Sequence, residues 1–263
     1  MTHVNVNSLK DINHQIYFLG TMHIAAESAL VVEQSIESIK PNCVMLELDQ
    51  VRLQELLSQK TPIRSPETPG SLHLSNSTPS ASNSENGQLD PKKRSLSEKL
   101  FEFLHDFQQE LGSIMGLTPG VEMVAAFNAA QKYKVAVLLI DRPIMDTFQR
   151  MNSLEGEGLK EQEKMLETLK DGSGALDELD LEELIEELKQ PGAIAEIIEE
   201  FTREYPNIAD LLIHERNKYM VQQIVDYIKN HPQDRVIVVL GAGHIKEVVQ
   251  LTESALFPKN RKA

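Results

Sequence analysis

Four short apolar runs set the terms for this chain: QIYFLG at 15–20, CVMLEL at 43–48, VAVLLI at 135–140 and VIVVL at 236–240. Each is β-rich and bounded by glycine, proline or a charged residue, so each reads as a short buried strand. Between the first two, Ala29, Val32, Ile36 and Ile39 recur at helical spacing, with Ser28 as a candidate N-cap and Pro41-Asn42 as the stop. A strand, a helix and a strand of these lengths form a βαβ unit with parallel strands. The fold class expected is therefore α/β, a mainly parallel sheet with flanking helices and an added acidic helical region.

The remaining segments hang on that frame as one domain over 1–263. Residues 61–95 are rich in Ser, Pro, Asn and Gly and poor in large apolar residues. Such a stretch cannot bury enough surface to offset its ordering entropy, and it reads as a disordered insertion in a surface loop. Helical periodicity returns at 96–111, where Leu96, Leu100, Phe103, Leu104 and Phe107 share a face. The turn GLTPG at 116–120 leads into a helix from Val121 to Lys132, and 147–230 reads as mainly helical. Within it, 155–204 is densely acidic, and ELDLEELIEELK at 178–189 alternates carboxylates with leucines as a solvated helical face does. A last helix is expected from Ile245 to Leu256.

Charge and cysteine content exclude several function classes. A formal net charge of −14 is the wrong sign for a nucleic-acid binder. No apolar run approaches the ~20 residues of a membrane-spanning helix. The amino terminus carries neither a secretory core nor an Arg-rich presequence, so the expected location is cytoplasmic. With one cysteine, Cys43, no internal disulfide forms and a zinc site of several thiolates is excluded.

The chemistry gathers where the strands end. The first run delivers Gly20 and His23, the second Glu47 and Asp49, the third Asp141 and Arg142, the fourth Gly243 and His244. All carboxyl ends of a parallel sheet open on one edge, where ligands of such folds bind. GTMH at 20–23 and GAGH at 241–244 each place a histidine three residues after a strand-terminal glycine. That glycine is expected to let the backbone turn sharply and throw the imidazole over the edge. Neutral imidazole and carboxylate together suit a mid-first-row divalent ion. Glu122 opens a helix, where an acidic group also interacts favourably with the helix amino terminus. Arg142 and Arg216 either hold an anion or a developing oxyanion, or form structural ion pairs with Asp141 or Glu215. Asp49 and Arg52 follow by helical spacing and read as a cap and a pair; His214, beside Glu215 and Arg216 in LIHERNKYM, is a candidate outer support. GAGHIKE lacks the third glycine of a dinucleotide fingerprint, and neither a Walker A sequence nor a nucleophile elbow is present.

Taken together, FLGTMHIAAES, VMLELDQVR, GVEMVAAF, LLIDRPI, LIHERNKYM and VVLGAGHIKEV, spread over 17–249, resemble the TraB family. That group includes the bacterial pheromone-shutdown proteins and the Tiki Wnt-inactivating proteases. The resemblance implies an α/β core and a metal-dependent hydrolase site. In it, His23 and His244 fall on the two GxxH histidines, Glu47 and Glu122 on the family's glutamates, and Arg142 and Arg216 on its recurrent arginines. Some relatives are metalloproteases that use manganese or cobalt, so the implied cofactor is a divalent ion (Mn, Co or Zn, with Mn favoured). The sequence departs from the secreted Tiki type in lacking a signal peptide and anchor.

The reading is a metal-dependent hydrolase acting on peptides, with His23, His244, Glu47 and Glu122 as metal ligands and Glu47, Glu122, Arg142 and Arg216 in catalytic roles. The alternative is a non-catalytic peptide- or protein-binding regulator on the same fold. A peptide or protein is the expected partner; peripheral membrane association and self-association through the acidic helices both stay open.

Overall fold

The computed structural model describes residues 9–21, 25–58, 120–172 and 192–258. The insertion expected at 61–95, the helix at 96–111 and the acidic stretch at 178–189 lie outside those residues, as does His23.

The strands are β1 (Leu9–Ile12), β2 (Ile16–Thr21), β3 (Cys43–Leu46), β4 (Ala136–Leu139) and β5 (Val236–Gly241). They form a five-stranded sheet in the order β1-β2-β5-β3-β4, parallel except for β1. The four apolar runs are thus the four parallel strands, each shifted or trimmed by a residue or two. β1 was not expected. In LKDI only Ile12 is buried, so its sequence carries little apolar signal. It joins β2 as an antiparallel hairpin through Asn13 and His14, both at positive φ, a conformation a short turn demands.

Nine helices are described: α1 (Ala25–Ile39), α2 (Gln50–Ser58), α3 (Val121–Lys132), α4 (Ile144–Asn152), α5 (Glu157–Gly172), α6 (Ala193–Glu204), α7 (Pro206–Ala209), α8 (Glu215–Asn230) and α9 (Ala242–Leu256). A π turn, Asp210–His214, joins α7 to α8. Two starts differ from expectation. Ser28 lies inside α1 rather than capping it, and α9 begins at Ala242, so His244 sits in a helix's first turn.

The sheet is buried on both faces. Val32 and Ile36 of α1 and Met123, Ala126 and Ala130 of α3 cover one side, against Val44, Leu46, Ile237 and Val239. Met220, Ile224 and Ile228 of α8 and Val248 and Val249 of α9 cover the other, against Phe18, Met45, Val236 and Val238. The strands alternate between these two clusters, as a pleat requires. This explains why their sequences are continuously apolar. A third cluster, Met151, Met165, Tyr205, Ile208 and Leu211, holds α4, α5 and α7 together.

This winding puts a topological switch point beside β5. The chain leaves β2 for α1 on one face of the sheet, whereas it leaves β5 for α9 on the other. β5 is flanked by β2 and β3, so the connections diverge on either side of its carboxyl end, the place where ligands bind in such sheets. Four helices (α1, α2, α4, α9) follow strands, and α3 and α8 run directly into β4 and β5. Five helix amino termini, those of α1, α2, α3, α4 and α9, therefore meet at this edge, each with a partial positive charge, while α8 continues from the π turn.

Candidate functional site

Buried carboxylates crowd that edge: Glu47, Asp49, Glu122 and Asp141 are each at most 8% exposed. Isolated buried carboxylates would be costly, so each must find donors. Asp49 caps two helices at once, accepting from Arg52 N at 2.8 Å in α2 and from Ile144 N at 2.8 Å in α4. Its expected capping role holds, but Arg52 turns its guanidinium to Asp141 instead, at 3.0 Å.

Asp141 is enclosed by donors. Arg216 Nε and Nη2 reach its two oxygens at 3.0 and 2.7 Å, and Arg142 N donates to Oδ1 at 2.8 Å. Burial pushes this carboxyl up, but the attraction of Arg216 and Arg52 outweighs it and holds the group below its ordinary value. Arg216 also donates from Nη2 to Glu47 Oε1 at 3.0 Å and from Nη1 to Leu212 O at 3.0 Å. Those bonds use four of a guanidinium's five N–H groups. Burial would lower the Arg216 pKa, yet its two carboxylate partners raise it above the usual arginine value, so the charge is permanent.

Glu47 has a different set of neighbours. Its Oε2 accepts from Gly241 N at 2.8 Å, and its Oε1 faces both Arg216 and His244 Nε2, the latter at 3.2 Å. His244 is carried in the first turn of α9, and burial lowers its pKa, which favours neutral imidazole. Its other nitrogen, Nδ1, lies 2.6 Å from Asn217 Oδ1. Asn217 Nδ2 donates to Glu247 Oε2 at 2.7 Å, and His214 Nδ1 meets the same oxygen at 2.8 Å. Glu47, His244, Asn217, Glu247 and His214 therefore form one connected polar line.

The chain turns at Gly241 directly from β5 into α9, at an extended φ of −62°. Gly20, Gly241 and Gly243 all avoid the left-handed region; among the described residues the positive-φ glycines are Gly120, Gly156 and Gly192. At Gly20 and Gly243 space is a further constraint. A Cβ on Gly20 would stand 2.9 Å from Ile245 Cδ1, and one on Gly243 would stand 3.0 Å from Ile198 Cδ1. Glycine lets α9 lie close against β2 and α6, and that close packing together with the direct turn from β5 sets where His244 falls.

Of the residues singled out from sequence, Glu47, Arg216 and His244 are in direct contact. Arg142 stands apart from them, ion-paired with Glu215, which Arg150 also reaches at 2.8 Å. Glu122 is buried in the first turn of α3, which opens after Gly120 at φ +83°. Among the described residues no three His, Cys, Asp or Glu side chains gather as a metal-holding group. Asn217 and Glu247 escaped the sequence reading. The available signal was Asn217's place on the face of α8 that also buries Met220, Val221 and Ile224.

A buried Glu–His contact at a topological switch of a parallel sheet, braced by a guanidinium, defines an α/β protein with a polar edge site. The sequence profile of the TraB/PrgY/gumN family matches residues 6–254, and the chain belongs to that family. It is 27% identical over 240 residues to an uncharacterized protein of Methanocaldococcus jannaschii, covering 89% of this chain and 52% of that protein. It is 24% identical over 246 residues to a TraB domain-containing protein of Mus musculus, covering 88% of this chain and 61% of that protein. The chain thus spans between half and two thirds of the length of these relatives. Among the described residues no helix is long and apolar enough to cross a membrane.

Proposed function

We propose that this edge is the site of a metal-dependent hydrolase acting on peptides, with His244 and Glu47 as two of the groups that hold a divalent ion. The observation that carries the proposal is the contact between His244 Nε2 and Glu47 Oε1 at 3.2 Å. Two donors on one ion with bonds of about 2.1 Å stand about 3.0 Å apart at a right angle and about 3.4 Å apart at a tetrahedral angle. The pair has the spacing of neighbouring ligands, and the donor types suit manganese, cobalt or zinc. His23 and Glu122 are the further ligands proposed from the sequence. When bound, the ion would supply polarisation of a scissile carbonyl and activation of water.

The chain's own groups then divide the work. Gly241 N and Arg216 orient Glu47 from two directions, so its free lone pair is aimed rather than mobile. Glu47 or Glu122 takes the proton from the attacking water. Arg216 stabilises charge at the edge, although most of its donors are committed to Asp141, Glu47 and Leu212. Arg142, ion-paired with Glu215, is the arginine that meets an anionic part of the substrate.

The test is calorimetric titration of Mn(II), Co(II) and Zn(II) into the wild type, His244→Ala and His23→Ala, beside cleavage of a peptide library with and without chelator. The proposal expects weaker metal binding in both variants and chelator-sensitive cleavage. Unchanged metal affinity in both variants would sink it. Peptide capture without cleavage would point to a binding protein on the same site.

A further inference from the structure

The polar line running outward from His244 has a direction, and the direction is fixed at its far end. A carboxylate only accepts hydrogen bonds. Glu247 Oε2 therefore receives the amide nitrogen of Asn217, at 2.7 Å, and the Nδ1–H of His214, at 2.8 Å. An Asn217 turned the other way would set its carbonyl oxygen against that carboxylate. With the amide nitrogen committed to Glu247, the carbonyl oxygen points at His244 Nδ1, at 2.6 Å. Only a protonated Nδ1 can meet it.

A competing arrangement exists on the other side of the ring. Glu47 Oε1, at 3.2 Å from Nε2, is an equally good acceptor for the single proton of a neutral imidazole. Left to that contact alone, the ring would put its proton on Nε2 and lose the lone pair there. From these bonds we infer that Asn217 and Glu247 are positioning residues that hold His244 in its Nδ1–H form, keeping the Nε2 lone pair turned toward Glu47. This rests on the reading of His244 as a working residue of the edge.

The packing agrees. Asn217 is fully buried on a face of α8 otherwise made of Met220, Val221, Ile224, Val225 and Ile228. A leucine there would fill the space without any polar cost, so an amide has to be repaid by its two hydrogen bonds. The π turn contributes as well. Glu215 N bonds back five residues to Asp210 O, and single π turns of this kind interrupt α-helices at functional sites. His214, its last residue, and Asn217 share a face, three residues apart, and both reach Glu247 of α9. Arg216, between them, turns toward Glu47 and Asp141.

The decisive measurement is the tautomer itself, read by long-range nitrogen–proton NMR on the full-length protein. The His244 signals are assigned by their loss in His244→Gln, and spectra are taken at a pH where the ring is neutral, with and without chelator. The wild type is expected to show the Nδ1–H form alone. Asn217→Leu is expected to move the proton to Nε2, and Glu247→Gln, whose amide can present either atom, to give a mixture. In the metal titration, Glu247→Gln should bind about 10–100-fold more weakly, the usual scale for a group behind a ligand. A thermal melt checks that each variant folds; if Asn217→Leu does not, Glu247→Gln carries the test. A wild-type ring protonated on Nε2, or a form unchanged in every folded variant, would overturn the inference. A protein that binds no metal yet shows the expected tautomers would overturn the metal reading and leave this one standing.

Discussion

The two ends of the sheet are both polar, but only one of them buries charge. At the amino end, Tyr227 donates to Asp234 at 2.8 Å, His231 stacks on Tyr227, and Arg235 lies exposed against Lys40 O. Among the described residues the one buried reactive group there is Cys43, whose thiol burial pushes up to about 11. At the carboxyl end, four carboxylates are buried and the half-buried guanidinium of Arg216 pairs with two of them. Helix direction explains the difference. Five helices (α1, α2, α3, α4 and α9) present their amino termini to the carboxyl edge and lower the cost of negative charge there, whereas α1, α3 and α8 bring their carboxyl termini to the amino end. The comparison teaches that buried carboxylates at a sheet edge are held by the backbone as much as by their ion-pair partners.

The sharpest way to break that comparison is Arg216→Ala. It strands Asp141 and Glu47 without their shared cation and should cost about 3–5 kcal/mol of stability, the scale for removing one partner of a buried pair. Urea unfolding measures it, and a loss below about 1 kcal/mol would mean that the helix termini alone suffice.

Asp141→Asn is the next largest and adds a pH signature. Because the folded carboxyl titrates below its unfolded value, its contribution is complete above the ordinary carboxylate range. It is lost as pH falls through the folded value. The stability gap between wild type and variant should therefore be widest near neutrality and narrow below about pH 4. A gap that stays constant down to pH 2 would contradict the assignment. At the opposite end, Tyr227→Phe removes one partly exposed hydrogen bond and should cost only about 1 kcal/mol. A cost comparable to that of Arg216→Ala would erase the contrast between the two ends.

Much of this was legible before any coordinates. A strand buried on both faces has to be apolar throughout, so the four parallel strands announce themselves, and the polar residues that end them fall on one edge by topology. β1 hid because one face of it is wet and a single isoleucine is too little pattern. The arginines were half legible. The candidate partners Asp141 and Glu215 were both visible, but the pairing crosses over: Arg216 takes Asp141 and Arg142 takes Glu215. Asn217 and Glu247 were not legible, because their meaning depends on a contact between α8 and α9 that spacing along the chain does not encode. The GxxH glycines were legible as constrained, but the close approach of α9 at Gly20 was not. A tight turn and a tight packing contact leave the same letter in a sequence.

The π turn at Asp210–His214 carries one more consequence. It is equivalent to one extra residue threaded into a continuous helix, and each residue advances an α-helix by about 100°. Ile208 and Leu211 belong to the cluster with Met151 and Met165, whereas Met220 and Ile224 belong to the sheet core. The extra residue is what lets one rod satisfy two neighbours that lie at different azimuths. Deleting any one residue within 210–214 would put the two halves back in phase, and the chain would have to surrender either its α4–α5 subdomain contacts or the alignment of Arg216 and Asn217. Edge chemistry and the outlying helical cluster are therefore geared together, and neither can be retimed without the other.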